Sequence, residues 1–186
     1  MAHSVARQAI IERLTRPPGR LLSERPSAGG WTAQLRRAGG AEADPSTIRF
    51  LKERSVGGKQ LHAVAFQTVA GHSRHFVIGV VHDGTGAWEV SGMAGGGGSD
   101  PHRDRPWVNF AGWGWPGGFS GGGRVVGSGS EEATRVRLRF KNGVELEDTV
   151  DDGLVLFIAD RVVKIPASAD ILDSAGRPMA SHPAFT

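Results

Sequence analysis

From residue 47 to the end of the chain, apolar and polar residues alternate in short runs separated by turn signals. The clearest run is Arg135–Phe140, where three arginines alternate with Val, Leu and Phe, as in a strand that buries one face. The Asn142-Gly143 pair that follows favours a tight hairpin turn. Glu145 and Glu147 lie on the polar face of the next strand. We therefore expect a cross-strand charge ladder between these acids and the three arginines.

Similar runs elsewhere predict an all-β chain of about eight or nine strands. Antiparallel sheets must bury one face, so an antiparallel β-sandwich or barrel is the expected architecture. The chain lacks the alternation of strands and helices that Rossmann and P-loop nucleotide-binding folds require, which disfavours both. The other strand candidates lie at 47–56, 60–69, 75–82, 88–92, 144–150, 154–158 and 169–172, and the first four form a predicted meander.

The first 46 residues follow a different pattern. Residues 4–15 place apolar side chains at near-helical spacing behind Ser4, which can cap them, and predict one short amphipathic helix. Residues 16–46 are rich in Pro, Gly and Arg and predict a mostly irregular arm. The expected organisation is a helix and basic arm over 1–46 and a single β-sandwich domain over 47–186, with a Gly/Trp-rich insertion at 92–129.

The formal net charge of +3 is distributed unevenly. Residues 1–60 carry eleven basic and five acidic side chains, a net +6, whereas residues 131–186 carry seven basic and ten acidic ones, a net −3. A basic arm can attract nucleic acid or another subunit. One hypothesis is therefore a protein that uses its basic arm to bind nucleic acid or to assemble with another subunit. The arginines are scattered among Pro, Gly and Ser, which disfavours nucleic acid and leaves homo-oligomerisation as an open alternative.

Two absences in the sequence narrow the function further. The start of the chain lacks an apolar run of signal-peptide length, and no stretch approaches the ~20 apolar residues of a membrane span, so we expect a cytoplasmic protein with no membrane partner. The chain contains neither cysteine nor tyrosine. Disulfides, thiol nucleophiles, cysteine metal sites and phenol chemistry are therefore excluded.

Half of the 28 glycines fall within residues 92–129, interspersed with aromatic and charged residues. The segment could be a strand or loop packed over an open end of the sandwich, an exposed aromatic platform, or a catalytic lid. The platform is the basis of our leading hypothesis, a non-catalytic binding or protein-interaction module for a protein partner or small ligand. The candidate surface comprises Trp107, Phe110, Trp113 and Trp115, with Arg103 and Arg105 on its rim.

A second hypothesis uses the polar residues of the same segment. Asp100, His102 and Asp104 could ligate zinc or another divalent cation in a metal-dependent hydrolase, together with a histidine from 72–82. Their spacing matches no known metal motif, so surface histidines are the simpler interpretation. We therefore predict no cofactor and no catalytic residue.

Three further acids, Asp148, Asp151 and Asp152, cluster at the end of a predicted hairpin. Such a group could bind calcium, since carboxylates are the ligands that this cation prefers. A solvated turn is the simpler expectation, because acids are common at exposed hairpin ends.

The last part of the chain carries four short motifs. They are Val-Arg-Leu-Arg-Phe-x-Asn-Gly at 136–143, Glu-Asp-x-Val at 147–150, Gly-Leu-x-Leu-Phe at 153–157 and Ile-Leu-Asp-x-x-Gly-Arg at 171–177. Together they resemble the C-terminal half of small uncharacterised β-rich proteins common in high-GC actinobacteria. The resemblance covers about a quarter of the chain and implies hairpins and a buried strand. It implies no catalytic or binding residue.

Overall fold

The protein is described by a computed structural model over residues 4–17, 41–82, 84–96, 104–115, 118–159 and 166–184. Within these ranges it contains one α-helix and eleven strands in three antiparallel sheets, which confirms the predicted all-β fold with a short N-terminal helix. The elements are α1 (Val5–Thr15), β1 (Arg49–Val56), β2 (Lys59–Gln67), β3 (Ser73–His82), β4 (Trp88–Gly96), β5 (Trp107–Trp115), β6 (Gly118–Val126), β7 (Arg135–Phe140), β8 (Glu145–Thr149), β9 (Leu154–Ala159), β10 (Pro166–Leu172) and β11 (Pro178–Pro183).

The chain forms two compact units, residues 1–51 with 58–97 and residues 52–57 with 98–186. The first contains α1, strands β2 to β4 and the start of β1, and the second contains β1 from Lys52 onward. The four strands form one sheet in the order β1-β2-β3-β4, the meander that the sequence predicts. Helix α1 begins where the Ser4 hydroxyl accepts a hydrogen bond from the Arg7 N–H. Apolar residues four positions apart form its buried stripe. They are Ala6, Ile10 and Leu14, and they share a core with Val64, Phe66, Ile78 and Val80.

The second unit is a β-sandwich. One sheet has the order β11-β10-β7-β8 and the other the order β5-β6-β9. Apolar residues of the two inner faces form a common core. The core includes Val136, Leu138 and Ile171 from the first sheet and Val108, Phe119, Val155 and Phe157 from the second.

The β7–β8 hairpin carries the predicted charge ladder. Arg135 and Arg137 each lie within 3.0 Å of the Glu147 carboxylate. Arg139 is 3.5 Å from Glu145 and 2.7 Å from Asp170 on the neighbouring strand β10. Opposite charges in register therefore cover this outer face, as expected from the alternation.

The sequence pattern misses two strands, β6 and β11. Strand β6 includes Gly118 and the run 121–123, so its sequence lacks the alternating side chains by which a strand is predicted. Strand β11 begins and ends with proline, which is typical of edge strands and loops alike. The glycine-rich segment thus supplies β6, the central strand of a sheet, within 92–129. No helix in the described ranges has the length and apolarity needed to cross a membrane.

Candidate binding site on strand β5

Strand β5 lies at the edge of its sheet and pairs only with β6 among the described strands. Its alternation separates two faces. Val108 is fully buried, and Phe110 packs against the sandwich core. Trp107 is half-buried and Asn109 is exposed, and both belong to the opposite face. The aromatic residues of β5 therefore do not form one surface, because Phe110 points into the core.

Close backbone approach explains the glycines opposite Phe110. A Cβ on Gly121 would lie 2.6 Å from the Phe110 Cζ atom. A Cβ on Gly123 would lie 2.4 Å from the Asn109 carbonyl oxygen. The Phe110 ring instead packs 6.2 Å from the ring of Phe119, centroid to centroid. For the half of the hairpin that contains Phe110, these glycines are consistent with the first of the three interpretations, a strand packed against the sandwich.

Trp107 is held by a residue that the sequence analysis did not identify, His182 on β11. The indole and imidazole rings are nearly parallel, with centroids 3.7 Å apart. The Val108 N–H donates to His182 Nε2 at 3.1 Å, so the proton of the neutral imidazole is on Nδ1 and donates to the Pro183 carbonyl at 2.8 Å. No local signal connects positions 107 and 182, because only the sheet order brings them together.

The first part of β5 is the more open one. Arg105 lies just before the strand and is exposed. Asn109 pairs across the hairpin with Arg124, and both are exposed. The half-buried Trp107 indole thus lies on the same hairpin as two exposed guanidinium groups and one exposed amide.

The far end of the hairpin has a different environment. Trp113 pairs with Ser120, which is 2% exposed, and Trp115 pairs with Gly118, which is also buried. The structure describes the backbone of both tryptophans within β5 but not their side chains. Their predicted role in binding therefore stays a prediction.

The residues of the metal hypothesis are not brought together by the described part of the chain. Asp100, His102 and Arg103 lie outside the described residues, and Asp104 is exposed ahead of β5. His75 and His82 lie at opposite ends of β3, as the sequence predicts. The described ranges contain no group of three or more His, Asp or Glu side chains arranged to hold a metal ion.

The acidic hairpin end between β8 and β9 is an ion-pair cluster. The Asp148 carboxylate forms ion pairs with Lys52 Nζ at 2.7 Å and Arg54 Nη1 at 2.8 Å, both from β1. It also accepts a hydrogen bond from the Leu156 N–H at 2.7 Å. The side chains of Lys52 and Asp148 are each 10% exposed, so the expectation of a solvated turn is wrong for Asp148. It failed because Lys52 and Arg54 are distant in sequence from the acids that they contact.

The same cations bind backbone carbonyl groups on both strands. Lys52 Nζ donates to the carbonyls of Thr149 and Leu154, and Arg54 Nη1 donates to those of Glu147 and Leu156. Strand β8 belongs to one sheet of the sandwich and β9 to the other. The two side chains therefore bridge the sheets along one side of the sandwich.

A groove of about 270 Å³ lies beside this cluster. Burial alone would raise the pKa of Glu147, but hydrogen bonds from Arg137 and Arg135 outweigh it and hold that pKa below its ordinary value. The carboxylates of Glu147 and Asp148 thus both form ion pairs with neighbouring cations, an arrangement typical of a structural network. The groove is lined by Glu53, Arg54, Arg135, Glu147, Asp148 and Thr149.

Comparison with known proteins gives no further guide to the site. The chain matches no protein-family model, no curated protein and no solved structure.

Proposed function

We propose that the protein is a non-catalytic binding or interaction module and that β5 carries its binding surface. One observation carries this proposal. The alternation along β5 directs Val108 and Phe110 into the core and leaves Trp107 and Asn109 on the opposite face. A half-exposed indole and an exposed amide on one edge strand are suited to contact with a partner.

The charges beside Trp107 indicate what kind of partner fits. Arg105 and Arg124 are both exposed, and Trp and Arg are the residues that most often dominate binding energy at interfaces. Guanidinium groups prefer carboxylates and phosphates as partners. The proposed ligand is therefore a protein segment or small molecule with a negatively charged group next to an apolar or aromatic one. Trp113 and Trp115 would extend this surface along the strand.

Affinity capture with the immobilised full-length protein tests the proposal. We expect a component of the source-cell extract that the wild type retains and that Arg105→Glu/Arg124→Glu loses by about tenfold or more, because charge reversal repels an acidic partner. Trp113→Ala and Trp115→Ala should each fold and lose the same component. Arg49→Glu/Lys141→Glu, the same change in net charge at two other exposed positions, is the matched control and should retain it.

Two results would overturn the proposal. One is an identical set of retained components for the wild type and all four variants. The other is unfolding of both tryptophan variants in circular dichroism together with unchanged retention by the arginine variant. The tryptophans would then be core residues, and the charged rim would play no part in binding.

A further inference from the structure

Strand β4 ends the four-stranded sheet of the first unit, and the register fixes the direction of its backbone groups. The His82 N–H donates to the Gly58 carbonyl, so even-numbered residues of β3 direct their backbone groups toward β2. Odd-numbered residues of β3 then bind β4. The β4 residues opposite the even-numbered positions point their N–H and C=O groups out of the sheet, and these residues are Trp88, Val90, Met93 and Gly95.

This outer edge lacks much of the protection that sheet edges normally have. Trp88, Val90 and Met93 are all partly exposed, and none has a backbone hydrogen bond on that side to another residue that the structure describes. Natural edges are usually blocked by lysine, proline or a bulge. Strand β4 contains no lysine and no proline, and its protection consists of one charged residue, Glu89, and a register shift at Ser91. Among the described strands, only β3 pairs with β4, so none occupies this outer edge.

A groove beside the edge would receive side chains from such a strand. It has a volume of about 410 Å³ and lies between α1 and β4. Its lining combines apolar and charged groups, so a strand added to β4 would place alternate side chains against this mixed surface. The lining residues are Ala9, Glu12, Arg13 and Arg16 from α1 and Trp88, Glu89 and Val90 from β4.

We propose that the occupant is a second copy of the chain, whose β4 pairs antiparallel with this one. A two-fold contact brings a surface against itself, so the surface must contain its own complement. This groove does, because its helix side carries Arg16, next to Glu12 and Arg13, and its strand side carries Glu89. Two sheets of four strands would join into one continuous sheet of eight. The basic end of α1 in one copy would face Glu89 of the other.

Sedimentation velocity of the full chain from about 1 to about 200 µM tests the proposal. We expect the wild type to reach twice the mass of the 19.7 kDa chain with rising concentration. Ser91→Lys should weaken the dimer at least tenfold, because it places a charge at the edge. Ser73→Lys, the same change at the start of β3, should leave the dimer intact. Val90→Pro should also give a monomer, since it removes one outward N–H.

Cross-linking locates the contact independently. The outward-facing positions of β4 extend from Trp88 to Gly95, so we place the two-fold axis of the antiparallel pairing near their middle, at Ser91. The chain has no cysteine, so Ser91→Cys introduces a single thiol there. Mild oxidation should join two Ser91→Cys chains and should leave Ser73→Cys chains monomeric. A wild type that stays monomeric at the highest concentration would overturn the proposal. So would a dimer that Ser91→Lys leaves unchanged and that Ser91→Cys does not cross-link, because the copies would then meet elsewhere.

Discussion

The indole of Trp107 lies flat on the imidazole of His182, with ring centroids 3.7 Å apart and planes inclined by 14°. The same imidazole accepts the Val108 N–H, which points away from β6 at the edge of its sheet. Without His182 this buried N–H would lose its acceptor, at a cost in free energy. One side chain of β11 thus satisfies the edge of β5, fixes the Trp107 ring and connects the two sheets of the sandwich.

Two substitutions separate the roles of His182. His182→Phe keeps a flat ring against Trp107 and removes the acceptor, so we expect it to lower the free energy of unfolding by about 1–3 kcal/mol. His182→Gln keeps an acceptor near the position of Nε2 and loses the stacking, at about 1 kcal/mol. Urea denaturation followed by tryptophan fluorescence measures both. Changes below about 0.5 kcal/mol in both variants would contradict the assigned role.

The elements that the sequence predicts are those whose signal is local. The cap and apolar spacing of α1, the strands of the meander and the β7–β8 hairpin all depend on residues within a few positions of one another. Strand β6 has no such signal, because its glycines have no side chains to alternate. It is held instead by backbone pairing with β5 on one side and β9 on the other. The strand was therefore recognised only as part of a glycine-rich insertion.

The candidate site was predicted less completely than the fold. The sequence located the segment that carries Trp107 and Phe110, but it did not decide between a strand and a loop. Alternation places the two residues on opposite faces only once the segment is known to be a strand, and the sheet order shows which face meets the core. His182 and Lys52 are distant in sequence from Trp107 and Asp148, the residues that they contact. Contacts of that kind follow from sheet order, which short-range periodicity does not contain.

The ion-pair cluster makes Asp148 one of the more sensitive charged positions. Asp148→Asn removes the charge that Lys52 and Arg54 share and leaves the nearly buried Lys52 ammonium with only the more exposed Asp151 carboxylate as its counterion. We expect the free energy of unfolding to fall by about 2 kcal/mol. Asp152→Asn makes the same chemical change at an exposed position of the adjacent turn and should cost less than about 0.5 kcal/mol. Equal effects in chemical denaturation would show that the cluster contributes nothing specific.

The same cluster predicts how stability depends on pH. The hydrogen bond from Lys52 holds the pKa of Asp151 below its ordinary value of 3.8. As the pH falls, the unfolded chain takes up this proton before the folded chain does. The contribution of the Lys52–Asp151 contact to stability is therefore fully present above pH 3.8 and is lost as the pH falls through the folded-state pKa. Lys52→Met should therefore flatten the acid side of the stability profile, measured as urea midpoints at descending pH.

Arg177→Met is the control for this profile. The pKa of Asp173 is also lowered, chiefly by the backbone N–H of Arg177, which the substitution keeps. The acid dependence of this variant should thus stay closer to that of the wild type than that of Lys52→Met does, because only the smaller contributions of the Arg177 side chain are lost. If Lys52→Met followed the wild type equally closely, Lys52 would not be the source of the acid sensitivity.

The glycines of β6 provide a test of the packing between β5 and β6. A Cβ on Gly123 would lie 2.4 Å from the Asn109 carbonyl oxygen and 3.0 Å from the Phe110 Cα, both backbone atoms of the paired strand. These atoms cannot move without disturbing the hydrogen bonds of the hairpin. We expect Gly123→Ala to lower the free energy of unfolding by about 3 kcal/mol. Gly121→Ala should cost less, since the end of the Phe110 ring is its nearest contact and a side chain can shift.

Gly58→Ala is the matched control, because its Cβ would meet only the His82 Cβ at 3.6 Å, an ordinary contact distance. We expect it to change stability by less than about 0.5 kcal/mol. Thermal unfolding ranks the three variants, and near-UV circular dichroism reports whether the tryptophans keep their environment. A ranking of Gly123→Ala below Gly121→Ala below Gly58→Ala in melting temperature supports the close β5–β6 contact. A Gly123→Ala variant as stable as Gly58→Ala would show that β6 does not need glycine there, and the glycine-rich strand would require an explanation other than packing.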